Sequence, residues 1–130
     1  MTDDGLISVD SKYSARETTE RLLAALPARN MTVFGRVDHA ANATAAGMAL
    51  RPTELVIFGN PKGGTVLMQD RQRAGIDLPL KALVWEDADG KAWITYNDPA
   101  WIARRHGLDQ DAAVDAMTKA MAAIAQDATK

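Results

Sequence analysis

The residues best equipped for chemistry are few. They are His39 beside Asp38, His106 beside Arg104 and Arg105, Lys62 within Gly59-Asn-Pro-Lys-Gly-Gly-Thr65, and Glu86 closing the apolar run Leu83-Val-Trp. A histidine near a carboxylate can act as a general base or a metal ligand. Neighbours along a strand point to opposite faces, however, so Asp38 is poorly placed to orient the His39 ring. A satisfied structural histidine is the favoured reading of His39. His106, at the end of a short helix next to two arginines, reads as capping and solvation. Two histidines without H-x-H or H-E-x-x-H spacing give no local zinc site, and no metal is expected. Glu86 is more interesting, because an ionised carboxylate in a buried strand needs a cation or a hydrogen-bond donor, and Lys62 or His39 could supply one. A solvent-facing Glu86 at the end of a half-exposed hairpin is the equal alternative. No Gly-x-Ser-x-Gly elbow supports Ser/His/Asp hydrolysis.

The segment Leu55 to Met68 invites a phosphate-loop reading, since an apolar run enters a Gly- and Pro-punctuated turn that carries a lysine. Gly59 and Gly64 have the right interval, but Thr65 follows Gly64 directly and Lys62 lies inside it, so a Walker loop fails at its decisive position. The dinucleotide fingerprint is also missing. A helix start fits better: Asn60 as N-cap and Pro61 at the first helical position. The positive end of such a helix, beside Lys62, can attract an anion. An ordinary capped helix with a solvated lysine competes with that ligand site and is favoured over it.

Elements to position these residues follow from periodicity. Leu6 to Tyr13 alternates as a strand, with Ile7, Val9 and Tyr13 on one side. Ser14-Ala-Arg-Glu17 is a capping box opening a helix that Pro27 stops. Met31 to His39 alternates again, and Ala40 to Ala46 reads as a short helix ended by Gly47. Leu55 to Phe58 is expected to be a strand buried on both faces. The Asn60-capped helix should run toward Gly75. Leu80 to Asn97 reads as a hairpin with a two-residue type I′ turn at Asp89-Gly90, placing Leu83, Trp85, Ile94 and Tyr96 on one face. Asp98-Pro99 opens a helix to His106 ended by Gly107, and Asp109 is expected to cap the last helix. There Val114, Met117, Met121 and Ile124 form a stripe read as core or dimer seam.

Composition narrows the function classes. The 130 residues, without repeat or linker, suggest one soluble domain over 1–130. The absence of cysteine removes thiol catalysis, thiolate metal sites and disulfides. A net charge of −2 with scattered Lys and Arg offers no footprint for nucleic acid. No apolar run is long enough for a membrane span, and the acidic start lacks the order of a signal peptide, so cytoplasmic residence is expected. Trp85, Trp93 and Trp101 read as core and interface residues.

Phe58-Gly-Asn-Pro-Lys62, Asp77-Leu-Pro-Leu-Lys-Ala-Leu-Val-Trp-Glu-Asp87, Tyr96-Asn-Asp-Pro99 and Arg105-His-Gly-Leu108 together resemble the bacterial and archaeal family called domain of unknown function 302 (DUF302). Asp38-His39-Ala-Ala-Asn42, Gly47 and Leu50-Arg-Pro52 are similar to its pattern too. The resemblance implies an α+β domain, with helices on an antiparallel or mixed sheet of about five strands, assembled as a homodimer. It implies no reaction and no cofactor. His39, Asn60, Lys62, Glu86, Tyr96 and Asn97 become candidates for a shared ligand pocket by that analogy. Three functions are therefore expected to compete: a module binding a small anionic or polar ligand, an enzyme using His39 and Glu86, with or without a metal, and a structural or partner-binding protein using the Met117 and Met121 stripe.

Overall fold

The computed structural model describes residues 3–130. Five antiparallel strands form one sheet in the order β1-β5-β4-β3-β2: β1 Leu6–Asp10, β2 Thr32–Asp38, β3 Thr53–Gly59, β4 Leu80–Glu86 and β5 Ala92–Asn97. Five helices accompany it: α1 Ala15–Ala25, α2 His39–Ala45, α3 Pro61–Asp70, α4 Pro99–His106 and α5 Asp111–Thr129. The α+β class holds, and every strand pair is antiparallel.

The core lies between one sheet face and the α1/α5 layer. Val56, Phe58, Val84 and Ile94 from the strands meet Leu22, Leu26, Met121 and Ile124 from the helices, each at most 1% exposed. Ser14 caps α1 by accepting from the Glu17 N–H at 3.1 Å, as the capping pattern requires. Met121 and Ile124 are core, as one reading of the α5 stripe expects, while Val114 and Met117 at its other end are half-buried.

The opposite sheet face carries Leu55, Ile57, Leu83, Trp85 and Trp93, half-buried and outside both core clusters. β3 is therefore buried on one face, not two. The hairpin also differs from expectation. Glu86 pairs with Ala92, Asp87 N–H donates to Lys91 O at 2.8 Å, and Ala88-Asp89-Gly90 forms a three-residue loop. Gly90 has φ 81, whereas Asn30 is the one non-glycine residue with positive φ among those described. A type I turn closed by a left-handed glycine replaces the type I′ turn and slips the register by one residue. That slip puts Val84, Ile94 and Tyr96 on the core face and Leu83, Trp85, Trp93 and Thr95 on the open one. Asp87 holds the loop, its carboxylate accepting from the N–H groups of Asp89 and Lys91, at 2.9 Å each, and from Trp93 Nε1 at 2.8 Å. The indole donor, then the Lys91 N–H, keep this carboxyl below its ordinary pKa.

Three helix boundaries move. α3 stops at Asp70 and a 3-10 turn over Gln72–Asp77 follows, so the helix does not reach Gly75. His39 opens α2 instead of closing β2, because the Asp38 side chain caps that helix through the Ala41 N–H at 2.9 Å. Asp109 does not cap α5; its N–H donates to Asp70 Oδ2 at 2.8 Å, and Gln110 precedes the helix without a side-chain cap.

Candidate functional site

A cavity of about 550 Å3 opens where β3 ends and α3 begins. Asn60 sets its edge: its side-chain oxygen accepts from the Lys62 N–H at 2.9 Å and the Gly63 N–H at 3.4 Å, fixing the first turn of α3. Pro61 follows as the first helical residue, where its missing N–H costs nothing. Gly63 keeps that turn thin, since a Cβ there would meet Met117 Cε at 3.2 Å. The first turn of α3 can thus approach α5, and Met117, Ala113, Ala116 and Ala120 of α5 form the facing wall.

The floor is apolar, built from Met31, Phe34, Met68, Leu78 and Pro79. Phe34 reaches it because the β2–β3 register shifts between Val33 and Gly35, leaving Phe34 without a strand partner. Two cations stand at the rim, Lys62 and Arg29, and no acidic residue lines the cavity. Among the described residues Lys62 has no acidic partner within 4 Å, and Arg29 has only Asp127, at 3.9 Å.

Of the six residues singled out from the sequence, Asn60 and Lys62 line this cavity. The other four lie elsewhere. His39 and Glu86 sit at the far end of β3, about 20 Å from Asn60 at ~3.3 Å per residue of strand. His39 is exposed, and among the described residues its ring joins no hydrogen bond, so it is neither a satisfied core residue nor a pocket residue. Glu86 is half-buried and its backbone is held, the N–H donating to Pro52 O at 3.0 Å and the carbonyl accepting from Arg51 Nε at 3.2 Å. Neither Lys62 nor His39 partners its carboxylate. Tyr96 is 5% exposed in the core, where burial first and the Asp98 charge second push its phenol pKa up. Asn97 ends β5 opposite Leu6.

Two other polar regions pair charges within the chain. A groove of about 630 Å3 between α1, α2 and β3 contains Arg36 paired with Glu54 at 2.7 Å and Arg16 with Glu20 at 3.5 Å. His106, expected to be solvated, is instead only 11% exposed, with Nε2 at 2.6 Å from Asp77 Oδ2; Arg105 Nη1 reaches both carboxylate oxygens at 3.1 Å. This cluster ties the 3-10 turn to α4. Among the described residues no three His, Asp or Glu side chains gather as a metal site would need, and no helix is long and apolar enough to cross a membrane.

Sequence reasoning missed Arg29, Met31, Phe34 and Pro79. Pro27 was a visible stop signal, but the left-handed Asn30 that turns the chain into β2 and the bulge at Phe34 have no local signature.

Comparison with known proteins agrees with the fold and leaves the activity open. The family described as "Domain of unknown function DUF302" matches residues 7–124. A solved structure, titled "Crystal structure of uncharacterized conserved protein DUF302 from Bacillus stearothermophilus", superposes with a TM-score of 0.85 at 20% identity, covering 96% of this chain and 98% of that one. Curated relatives from Brucella suis biovar 1 (strain 1330) and Brucella abortus biovar 1 (strain 9-941) are each 56% identical over 119 residues, 90% of this chain. Both are named "Fluoride-specific ion channel FluC 1". The matched region is 47% and 44% of their respective lengths, so the chain spans about half of the relatives it matches.

Proposed function

The chain belongs to the DUF302 family, and we propose that its function is to bind a small anionic ligand in the cavity between α3 and α5. One observation carries the reading: Lys62 and Arg29 stand at the rim of a cavity of about 550 Å3 whose lining contains no carboxylate. That volume falls within the roughly 300–1,000 Å3 usual for small-molecule sites. The first N–H groups of α3 are taken up by Asn60, so what the helix adds here is the positive end of its dipole. The reading is tested by thermal shift against inorganic phosphate, fluoride and a panel of carboxylates, with Lys62→Ala alongside. A stabilisation that Lys62→Ala diminishes supports it; no shift with any anion removes it.

The curated relatives favour a second reading, in which the domain serves as a ligand-sensing appendage of an anion channel. They are named as fluoride-specific channels, and more than half of their length lies outside the match. Titration with fluoride, followed by 19F NMR, separates this from metabolite binding. An unbroadened and unshifted fluoride line sinks it.

We also propose that the protein is a homodimer through the open sheet face, where Leu83, Trp85 and Trp93 form the apolar centre. Trp85 and Trp93 stack on each other at 6.1 Å, and Trp85 Nε1 donates to Thr95 Oγ1 and Trp93 Nε1 to Asp87 Oδ2, at 2.8 Å each, so the pair presents apolar surface with its polar edges satisfied. Light scattering should give twice the chain mass for the wild type and the single chain mass for Leu83→Lys. A monomeric wild type ends this proposal.

A further inference from the structure

The anion-binding reading leaves the rest of the ligand undefined, and the cavity's chemistry narrows it. A site built for a small hydrated anion such as phosphate surrounds the charge with donors. Here the lining carries two charged side chains, Lys62 and Arg29, and is otherwise mostly apolar, with Met31, Met68, Leu78, Leu80, Met117 and the half-exposed Phe34. An inorganic ion held at the rim would leave that apolar interior filled with water, which apolar surface disfavours. A neutral hydrocarbon would fill the interior but leave Lys62 without a counter-charge and Arg29 with only the distant Asp127 at 3.9 Å.

The occupant that satisfies both ends has one anionic head and an unbranched apolar tail. Met31, Met68 and Met117 bring unbranched thioethers, which adapt to a flexible chain more readily than to one rigid shape. Ala113, Ala116 and Ala120 recur along the α5 wall with the spacing of one helix face, giving a shallow track of small side chains instead of a closed end.

We propose that the cavity binds a medium-chain acyl carboxylate, the tail lying among the three methionines, Phe34 and Leu78 and the carboxylate meeting Lys62 and Arg29. This rests on the ligand-binding reading of the same cavity and adds the class of ligand.

The test is calorimetric titration of the full chain with acetate, hexanoate, octanoate and decanoate below their micelle concentrations, with decanol and inorganic phosphate as controls. Affinity should rise about fourfold for each added methylene, the factor expected from burying one CH2 group. Lys62→Ala should weaken decanoate about tenfold and leave decanol unchanged. Ala116→Trp, a change at an exposed position on α5 that fills the cavity without touching the core, should abolish decanoate binding while the melting temperature stays within a few degrees. Affinity independent of chain length, with phosphate or acetate as good as decanoate, overturns the acyl proposal and leaves the anion reading standing. Decanol equal to decanoate, with no response to Lys62→Ala, overturns both the carboxylate assignment and the anion reading. Binding by none of the six compounds removes the site itself.

Discussion

Two depressions of comparable volume, about 550 Å3 beside α3 and about 630 Å3 between α1, α2 and β3, hold their charges in opposite ways. In the groove, Arg36 meets Glu54 and Arg16 meets Glu20, so both cations are paired within the chain, and the third acid, Asp38, caps α2. The Glu54 contact, led by its hydrogen bond, raises the Arg36 pKa further. In the cavity, Lys62 and Arg29 face methionine and phenylalanine side chains, and the nearest acid is Asp127 at 3.9 Å from Arg29. Volume alone therefore does not distinguish a site from a seam between elements. A neutralised charge needs nothing further, whereas a cation over apolar surface gains from a ligand that brings the missing negative charge.

The sharpest way to break the contrast is to ask whether the cavity is open space at all. Met121 and Met117 lie four residues apart on α5, one 1% exposed in the core and the other on the cavity wall. Met121→Ala should cost about 2–5 kcal/mol, the range for truncating a packed core methionine. Met117→Ala should cost about 1 kcal/mol, because its neighbours on one side are already absent. Urea denaturation of both variants checks this. Equal losses would mean that the cavity wall is packed like the core, and the contrast between the two depressions would disappear.

Paired charges give the next largest effect. Asp77, 13% exposed, holds both Arg105 and His106, and Asp77→Ala should cost about 2 kcal/mol by leaving two donors without their acceptor. Arg36→Ala removes a partner from a pair whose arginine is 48% exposed, so about 0.5 kcal/mol is expected. If the groove pair proved the more costly, internal pairing there would be structural in a way its exposure does not predict.

What the sequence made legible follows from how local each signal is. Capping chemistry is local, and Ser14, Asn60 and Asp98 all cap the helices they were read to cap. The sheet was visible through alternation, but one extra loop residue at Ala88-Asp89-Gly90 exchanged the faces of the hairpin, since side chains alternate with a period of two. For the site, Asn60 and Lys62 were legible because cap, proline and lysine are contiguous. Arg29, Phe34 and Met117 come from three separate elements that tertiary packing brings together, so no spacing along the chain reveals them. His39 and Glu86 drew notice by residue type, yet position at the other end of β3 decides their distance from the cavity.

Tyr96 tests that same separation by pH. Its phenol, pushed above the ordinary value of about 10 by burial and by Asp98, favours the protonated form in the folded chain. Its contribution to stability is therefore complete below about pH 10 and is lost as pH rises through the elevated folded value. The denaturation midpoint of the wild type should fall as pH rises above about 10, by a small margin that Tyr96→Phe removes. A ligand bound in the cavity should leave this titration unmoved; a ligand-dependent shift would place Tyr96 in the site after all.

The smallest expected effect is the most discriminating. Lys62 is exposed, has no acidic partner within 4 Å among the described residues, and contributes to the fold only through its backbone N–H, which Asn60 accepts. Lys62→Ala keeps that N–H, so the unliganded protein should change stability by no more than about 0.5 kcal/mol. An anion that stabilises the wild type should stabilise this variant less, and the difference should shrink as salt is raised, because an exposed charge is screened over about 10 Å at 0.1 M. Glu54→Ala in the groove should show the reverse pattern, with a measurable loss in the unliganded protein and no change in the response to the anion. Should both variants behave alike, charge pairing would not be what separates the two depressions.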